Sequence, residues 1–270
     1  MKKRIILLTL LLLLLSIPIY AFFIEPKRIV IHTHKLGEEN GQQPLKIVQL
    51  SDIHIQENYS IEQLEKIVTK TNALKPDIVT FTGDLFDNYA EYGPTEQVAQ
   101  TLNKLSAPLG KFAIFGNHDY GGGAVRIYPD ILAAAGFQLL QNSGTTVSLQ
   151  NGQSIYIGGL DDALLGSPSI PDALANKNSN DYTILLSHEP DAVDLFSTED
   201  IQLILSGHSH GGQVKIPFFP IKNIMAEKYF AGFYKLSEKT TLFVNTGLGT
   251  TAIPVRLGVP PEITLFNVYL

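Results

Sequence analysis

Five short stretches hold most of the side chains able to do chemistry. They are Asp52-Ile53-His54, Gly83-Asp84, Gly116-Asn117-His118-Asp119, His188, and Gly207-His208-Ser209-His210. Each follows a short run of β-branched and apolar residues, so each reads as the segment that leaves a strand. Ligands of α/β sheets bind outside the carboxyl ends of the strands, and five strand ends offering Asp, Asn or His point to one convergent site. Asp52 and His54, like His208 and His210, sit at i and i+2; in extended backbone both members of such a pair face the same side. Gly83, Gly116 and Gly207 allow tight turns and close approach of backbone to an ion. The donors are oxygen and imidazole, which suit Mn, Fe, Zn, Ni or Co. The chain has no cysteine, which excludes thiolate-bound metal, a thiolate nucleophile and a disulfide framework. The other two histidines, His32 and His34, alternate in a predicted edge strand and read as surface or structural.

The elements that must position these residues are legible from periodicity. Lys46 to Leu50 and Asp77 to Thr82 read as strands, and between them Ser60, with Gln63 three residues on, caps a predicted helix carrying Ile61, Leu64, Ile67 and Val68. Gly93-Pro94-Thr95 opens a second helix with Val98, Leu102 and Leu105. Phe112 to Phe115 is a strand, and Val125 to Ala135 a helix closed by Gly136. Further on, Asn151-Gly152 joins Thr146 to Leu149 with Ser154 to Ile157, a hairpin signal. Tyr182 to Leu186, Ile201 to Leu205 and Ile263 to Val268 are apolar strands, and Phe233 to Leu236 pairs with Thr241 to Val244 as a second hairpin. Strand–helix alternation early and hairpins late predict an α/β fold with two packed sheets flanked by helices. No linker-like stretch divides residues 45–270, which read as one domain, with 25–44 as a connector carrying a strand at Arg28 to His32.

The 270 residues carry 20 Lys+Arg against 26 Asp+Glu, a net charge of −6. The first 24 hold Lys2, Lys3 and Arg4 and no acid, leaving 17 basic against 26 acidic residues, net −9, in the rest. That balance excludes non-specific nucleic-acid binding. A hydrophobic content of 44% with 17% charged residues excludes a largely disordered chain. The basic start is followed by twenty mostly apolar residues from Ile5 to Ile24, which as a helix would be about 30 Å long, the thickness of a bilayer core. Residues 1–24 therefore read as a membrane anchor, or alternatively as a cleaved signal peptide of a secreted protein. The positive-inside bias favours a single-pass topology with the globular part outside the cytoplasm.

The ordered blocks resemble the calcineurin-like metallophosphoesterases over about residues 45 to 268. Ser187-His188-Glu189-Pro190-Asp191, Gly207 to Gln213, Gly247-Leu248-Gly249 and Pro260-Pro261-Glu262-Ile263 are similar to the bacterial membrane-associated branch. The resemblance implies a four-layer α/β/β/α sandwich and a site for two divalent metal ions. Asp52, His54 and His210 match ligands of the first metal; Asn117, His188 and His208 match ligands of the second; Asp84 matches the bridging carboxylate. It further implies in-line attack on phosphorus by a metal-bridging hydroxide, with His118 protonating the leaving oxygen and Asp119 orienting that imidazole. The implied function is hydrolysis of phosphomonoesters, phosphodiesters or pyrophosphates in a small-molecule, wall or lipid-linked substrate at the outer membrane face. Alternatives are a pyrophosphate hydrolase of the UDP-2,3-diacylglucosamine type and a metal-binding scaffold without turnover. Gly211, Gly212 and Gln213 are expected at the rim, and Arg256 as a substrate contact or a structural salt bridge.

Overall fold

Alternation within the strands decides where the layers lie. In β2 (Leu45–Leu50), Leu45 and Ile47 face one way and Val48 and Leu50 the other, and all four are buried. The same split recurs in β3 (Ile78–Phe81), where Ile78 opposes Val79 and Phe81, and in β8 (Tyr182–Leu186), where Ile184 and Leu186 oppose Leu185. A strand buried on both faces needs a partner layer on each side. The computed structural model, which describes residues 16–270 apart from 40, 57–58, 92–95, 180, 197–199 and 217–220, supplies those layers.

Two six-stranded mixed sheets pack against each other. The first runs β1-β12-β2-β3-β4-β5, with β1 at Val30–Leu36, β4 at Gly110–Ala113, β5 at Gln138–Leu139 and β12 at Glu262–Val268. The second runs β10-β11-β9-β8-β7-β6, with β6 at Ser143–Ser148, β7 at Ser154–Gly159, β9 at Leu203–Ser206, β10 at Gly232–Lys235 and β11 at Thr241–Val244. Ile47, Ile78, Phe112, Ile184, Leu205 and Phe243 meet between the sheets. The outer face of the first sheet is covered by α1 (Ile61–Ala73), α2 (Glu96–Asn103) and α4 (Tyr128–Ala134) through Leu64, Ile67, Leu102 and Leu132. α1 starts where the sequence places it, with the Ser60 N–H donating to Gln63 Oε1 at 3.0 Å. The outer face of the second sheet is covered more thinly, by the four-residue α5 (Ile170–Ala173), a 3₁₀ turn over Pro190–Leu195 and Tyr229.

β2, β3 and β4 are parallel neighbours, and so are β8 and β9. Their carboxyl ends therefore open at one edge of each sheet. Gln49 joins the sheets beside that edge, donating to Thr82 Oγ1 and to the Ser206 carbonyl at 2.9 Å.

Two expectations concern the N-terminus. The stretch read as a connector contributes β1, which pairs in parallel with β12 over seven residues and so belongs to the first sheet. The expected membrane helix falls mostly on residues 1–15, outside the described residues. Residues 16–24 are helical, and among the described residues no helix is long and apolar enough to cross a membrane. The end of this helix is docked: the Arg256 N–H donates to the Ala21 carbonyl, and the Gly258 N–H donates to Oε2 of buried Glu25.

Candidate metal centre

All seven expected ligands converge. Asp52 and His54 follow β2, Asp84 follows β3, and Asn117 opens the short helix α3 (Asn117–Gly121) after β4. His188 follows β8, and His208 and His210 follow β9. Asp52, His54 and His210 place one donor atom each within 4.8 Å of one another; so do Asp84, His188 and His208, and so do His54, Asp84 and His118. The six Asp and His ligands are buried.

The backbone that presents them is unusual. Asp52, His54, Asp84, His208 and His210 all have positive φ, between 47° and 66°. Same-side presentation of Asp52 with His54, and of His208 with His210, thus arises from left-handed residues in tight turns, not from the extended backbone expected. Left-handed geometry costs on the order of 1–2 kcal/mol for an L-residue, and Asp, Asn and His tolerate it best. Strain of this kind persists where surrounding structure over-determines it. Glycine provides the clearance: a Cβ on Gly207 would lie 2.3 Å from Asp52 Oδ2, and one on Gly116 would lie 2.3 Å from Asp84 Oδ1.

Hydrogen bonding fixes which ring nitrogens face inward. Carbonyl and carboxylate oxygens only accept, so a nitrogen opposite one carries the proton. His188 Nδ1–H donates to the Thr82 carbonyl at 2.6 Å, His208 Nε2–H to the Ile224 carbonyl at 2.8 Å, and His54 Nδ1–H to Asp87 Oδ1 at 3.0 Å. The opposite nitrogens are left with lone pairs pointing at other acceptors. His208 Nδ1 is 2.9 Å from Asn117 Oδ1, His188 Nε2 is 3.2 Å from Asp84 Oδ2, and His54 Nε2 is 3.0 Å from His210 Nε2. Ligands about 2.1 Å from a common ion stand roughly 3.0 Å apart at right angles and roughly 3.4 Å apart at the tetrahedral angle. These spacings fit that geometry. The buried Nδ1 of His210 has no hydrogen-bond partner.

Charges in the pocket are held by one another. Burial acts to raise the Asp84 carboxyl, but the His188 and His54 imidazoles outweigh it and hold the group well below the usual carboxylate range. Burial acts to lower His188 and His54; the neighbouring carboxylates win, and both imidazoles lie well above their ordinary value. Burial, with the charges of His54 and Arg256, keeps His210 well below it.

His118 stands apart from the six buried ligands: its side chain is 30% exposed. Its Nδ1–H donates to the Asp87 carbonyl at 2.8 Å, leaving Nε2 as the free ring nitrogen, and its ring meets that of His54 edge-on. The partnership expected from Asp119 is corrected. Asp119 is fully buried and accepts three backbone N–H groups, from Asp84 and Gly116 at 2.9 Å and from Leu85 at 3.0 Å. It ties the turn after β3 to the start of α3, and burial together with the Asp84 charge pushes it up to about 7. Asp87 is the residue that sequence reasoning missed, serving His54 with its carboxylate and His118 with its carbonyl. Its signal was proximity: three residues after Asp84, it resembles an ordinary capping residue.

Arg256 is neither a substrate contact nor a salt bridge. It is fully buried, and its guanidinium donates to the carbonyls of Gly249, Val259 and Thr246. Gln213 does not face the centre with its amide; it exchanges hydrogen bonds with Thr251 N–H and carbonyl, fixing that loop. His32 and His34 lie on edge strand β1, away from the cluster, with the His34 ring 4.8 Å from that of Phe233.

Comparison with known proteins agrees with this geometry. The model of the calcineurin-like phosphoesterase family matches residues 45–212. The metallophosphoesterase YkuE of Bacillus subtilis (strain 168) is 38% identical over 253 residues, covering 92% of this chain and 88% of that protein. The metallophosphoesterase Cj0846 of Campylobacter jejuni is 32% identical over 84% of this chain, and a transmembrane protein with metallophosphoesterase domain from Danio rerio is 33% identical over 89%. This chain spans 60% and 57% of the lengths of those two. A buried nest of imidazoles and carboxylates whose lone pairs turn inward is what such a family requires of its members, and the chain belongs to the calcineurin-like phosphoesterases, the metal-dependent hydrolases of phosphoric esters.

Proposed function

We propose that the centre holds two divalent cations, with Asp52, His54 and His210 around the first, Asn117, His188 and His208 around the second, and Asp84 between them. The observation that carries this is the outward pinning of His54, His188 and His208 by Asp87, Thr82 and Ile224, which leaves lone pairs facing acceptors in a buried pocket. Such outer hydrogen bonds fix the tautomer and orientation of metal-binding imidazoles. Two carboxylates against two divalent cations leave the pocket net positive, so an anionic phosphate is drawn in by the local field although the chain around it is acidic. When bound, the cations supply polarisation of the phosphoryl oxygens and a lowered pKa for a bound water.

The chain's own residues do the rest. His118 reaches the open side of the pocket with Nε2, because Nδ1 is committed to the Asp87 carbonyl. A proton held at Nε2 passes to the departing ester oxygen. The His118 N–H also donates to Asp84 Oδ1 at 2.8 Å, so the acid and the shared carboxylate are positioned by the same turn. We further place the active unit, from the docked Ala21 and Glu25 to the C-terminal strand β12, at the extracytoplasmic face of the membrane. The apolar run from Ile5 and the basic residues before it support that placement.

The test combines elemental analysis of the purified chain with turnover of mono- and bis-p-nitrophenyl phosphate and an alkyl phosphodiester in Mn²⁺. The wild type should bind two cations per chain and cleave at least one ester. His118→Ala should keep the cations and lose roughly 10²–10⁴-fold on the alkyl ester, with a smaller loss on the nitrophenyl esters. Equal alkyl-ester activity in both proteins would remove His118 from its role.

A further inference from the structure

The apolar side chains left on the surface are not scattered. Among the described residues, fourteen large hydrophobics are exposed. Five are on the N-terminal helix: Ile17, Ile19, Phe22, Phe23 and Ile24. Six more are Leu164, Leu165, Ile216, Ile221, Ile224 and Ile253.

Four of these six are tied to the surroundings of the metal centre. The Ile224 carbonyl accepts His208 Nε2–H, so the 73% exposed Ile224 stands at the back of a proposed ligand. Ile221 crosses Gly212 so closely that a Cβ there would lie 2.4 Å from its carbonyl oxygen. Leu165 packs 3.2 Å from the Cβ position of Gly121, in the helix that carries His118. Ile253 caps a loop whose Gly249 N–H donates to the Asp52 carbonyl at 2.7 Å. The N-terminal helix joins the same surface. Ala21 and Glu25 hold residues 256 and 258, and Leu257 in turn exchanges backbone hydrogen bonds with Gln213 and Lys215.

Two further features say what covers this surface. Exposed Lys27, Arg28, Lys215 and Lys222 lie along it, in a chain otherwise net acidic. Aliphatic side chains interleaved with Lys and Arg are the composition of segments that sit at a lipid headgroup boundary. In the sequence, the helix described from residue 16 is preceded directly by a run of leucines, Leu10 to Leu15. A cavity of about 670 Å³ reaches from Gly211, the residue after His210, to His32 on β1, lined by Val214, Ile216, Phe230, Val259 and Pro260. Its size is that of a small-molecule site, and its lining is mostly apolar.

We infer that this surface rests on a bilayer and that the centre acts on phosphate esters held in that bilayer by an acyl chain, which enters the cavity beside Gly211. This substrate class rests on the phosphoester reading above. The headgroup phosphate meets the cations and His118 without leaving the membrane surface. Ile221 and Ile253 serve the bilayer and not the bond cleavage.

The absence of native cysteine makes the test direct. Ile221→Cys, Ile253→Cys and Asn151→Cys each carry one fluorophore on the full chain, reconstituted into phosphatidylcholine–phosphatidylglycerol vesicles with nitroxide-labelled lipid. Asn151 is the control, since it neighbours Leu45, Asp77 and Leu109 at the amino ends of β2, β3 and β4. Quenching at 221 and 253 but not at 151 is expected. In the same vesicles, dioleoyl phosphatidic acid is compared with glycerol 3-phosphate, and phosphatidylglycerol with its deacylated diester. One acylated member should exceed its soluble counterpart more than tenfold in kcat/KM. The double variant Ile221→Ser, Ile253→Ser should lose that preference and keep wild-type turnover of p-nitrophenyl esters. Unquenched labels, including labels shielded by a second copy of the chain, overturn the inference. So does quenching without acyl preference, which would mean an anchored enzyme acting on soluble esters. If no ester of any kind is cleaved, the phosphoester reading itself has failed.

Discussion

Asp87 shows how much of a metal centre's behaviour resides in residues that touch no metal. Its carboxylate orients His54 and its carbonyl orients His118, so one residue sets both a ligand and a proton donor. Asp87→Ala should weaken cation binding by roughly 10–100-fold, the usual cost of losing an outer-shell partner. It should also lower kcat on poor leaving groups, because the loop that presents the carbonyl loses its anchor. Titration of the cation-free variant by calorimetry measures the first effect. A second expectation follows from the raised imidazoles. His54 and His188 lie well above the ordinary histidine value because Asp52, Asp84 and Asp87 favour their charged forms over the opposing effect of burial. Without a cation, both therefore take a second proton more readily than an ordinary imidazole does. Cation uptake needs their lone pairs, so loading should release protons, and apparent affinity should fall as pH drops through the raised values. Calorimetry in buffers of different ionisation enthalpy counts the protons; a count of zero would contradict the charge pattern. The ligands were legible because each follows an apolar run and belongs to a type that binds ions. Asp87 and Arg256 were not: the partners of Asp87 are the His54 and His118 imidazoles and those of Arg256 are backbone carbonyls, which only the folded loops bring near.

At the level of elements, turns after strands set the geometry. α3 is only five residues long and has little helical stability of its own. It is held by Asp119, which collects N–H groups from Gly116, Asp84 and Leu85. Asp119→Asn should therefore act on stability: an amide cannot satisfy donors on both oxygens, and the loss should be about 2–3 kcal/mol. Thermal unfolding of the cation-loaded protein checks this, and an unchanged midpoint with a lost pH profile would return Asp119 to a role beside His118. The strands and long helices were readable because their periods persist over several residues. β5 spans two residues and α3 a little over one turn, too short for any period to register. The left-handed turns were not readable as such, although Asp, His and Gly at 52, 54, 83, 84, 208 and 210 are among the residues that such turns accept best.

At the scale of the whole molecule, the two sheets share the centre unequally. The first sheet contributes Asp52, His54, Asp84 and Asn117, and the second His188, His208 and His210. Removing cations should therefore destabilise the whole fold rather than one loop. At a thousandfold excess over Kd, bound ligand contributes about 4 kcal/mol, or roughly 8–16 °C in Tm at this size. Differential scanning calorimetry with and without chelator measures it, and a shift below about 2 °C would show that the pocket closes without its ions. Sharing the centre between sheets also bears on the order of assembly. Hairpins and neighbouring strands can form from local encounters, but Asp52 and His210 meet only after more than half the chain has been laid down and both halves have docked. The pocket is then completed late as the chain emerges, and a nascent chain gains its hold on metal late, in whichever compartment the second sheet closes.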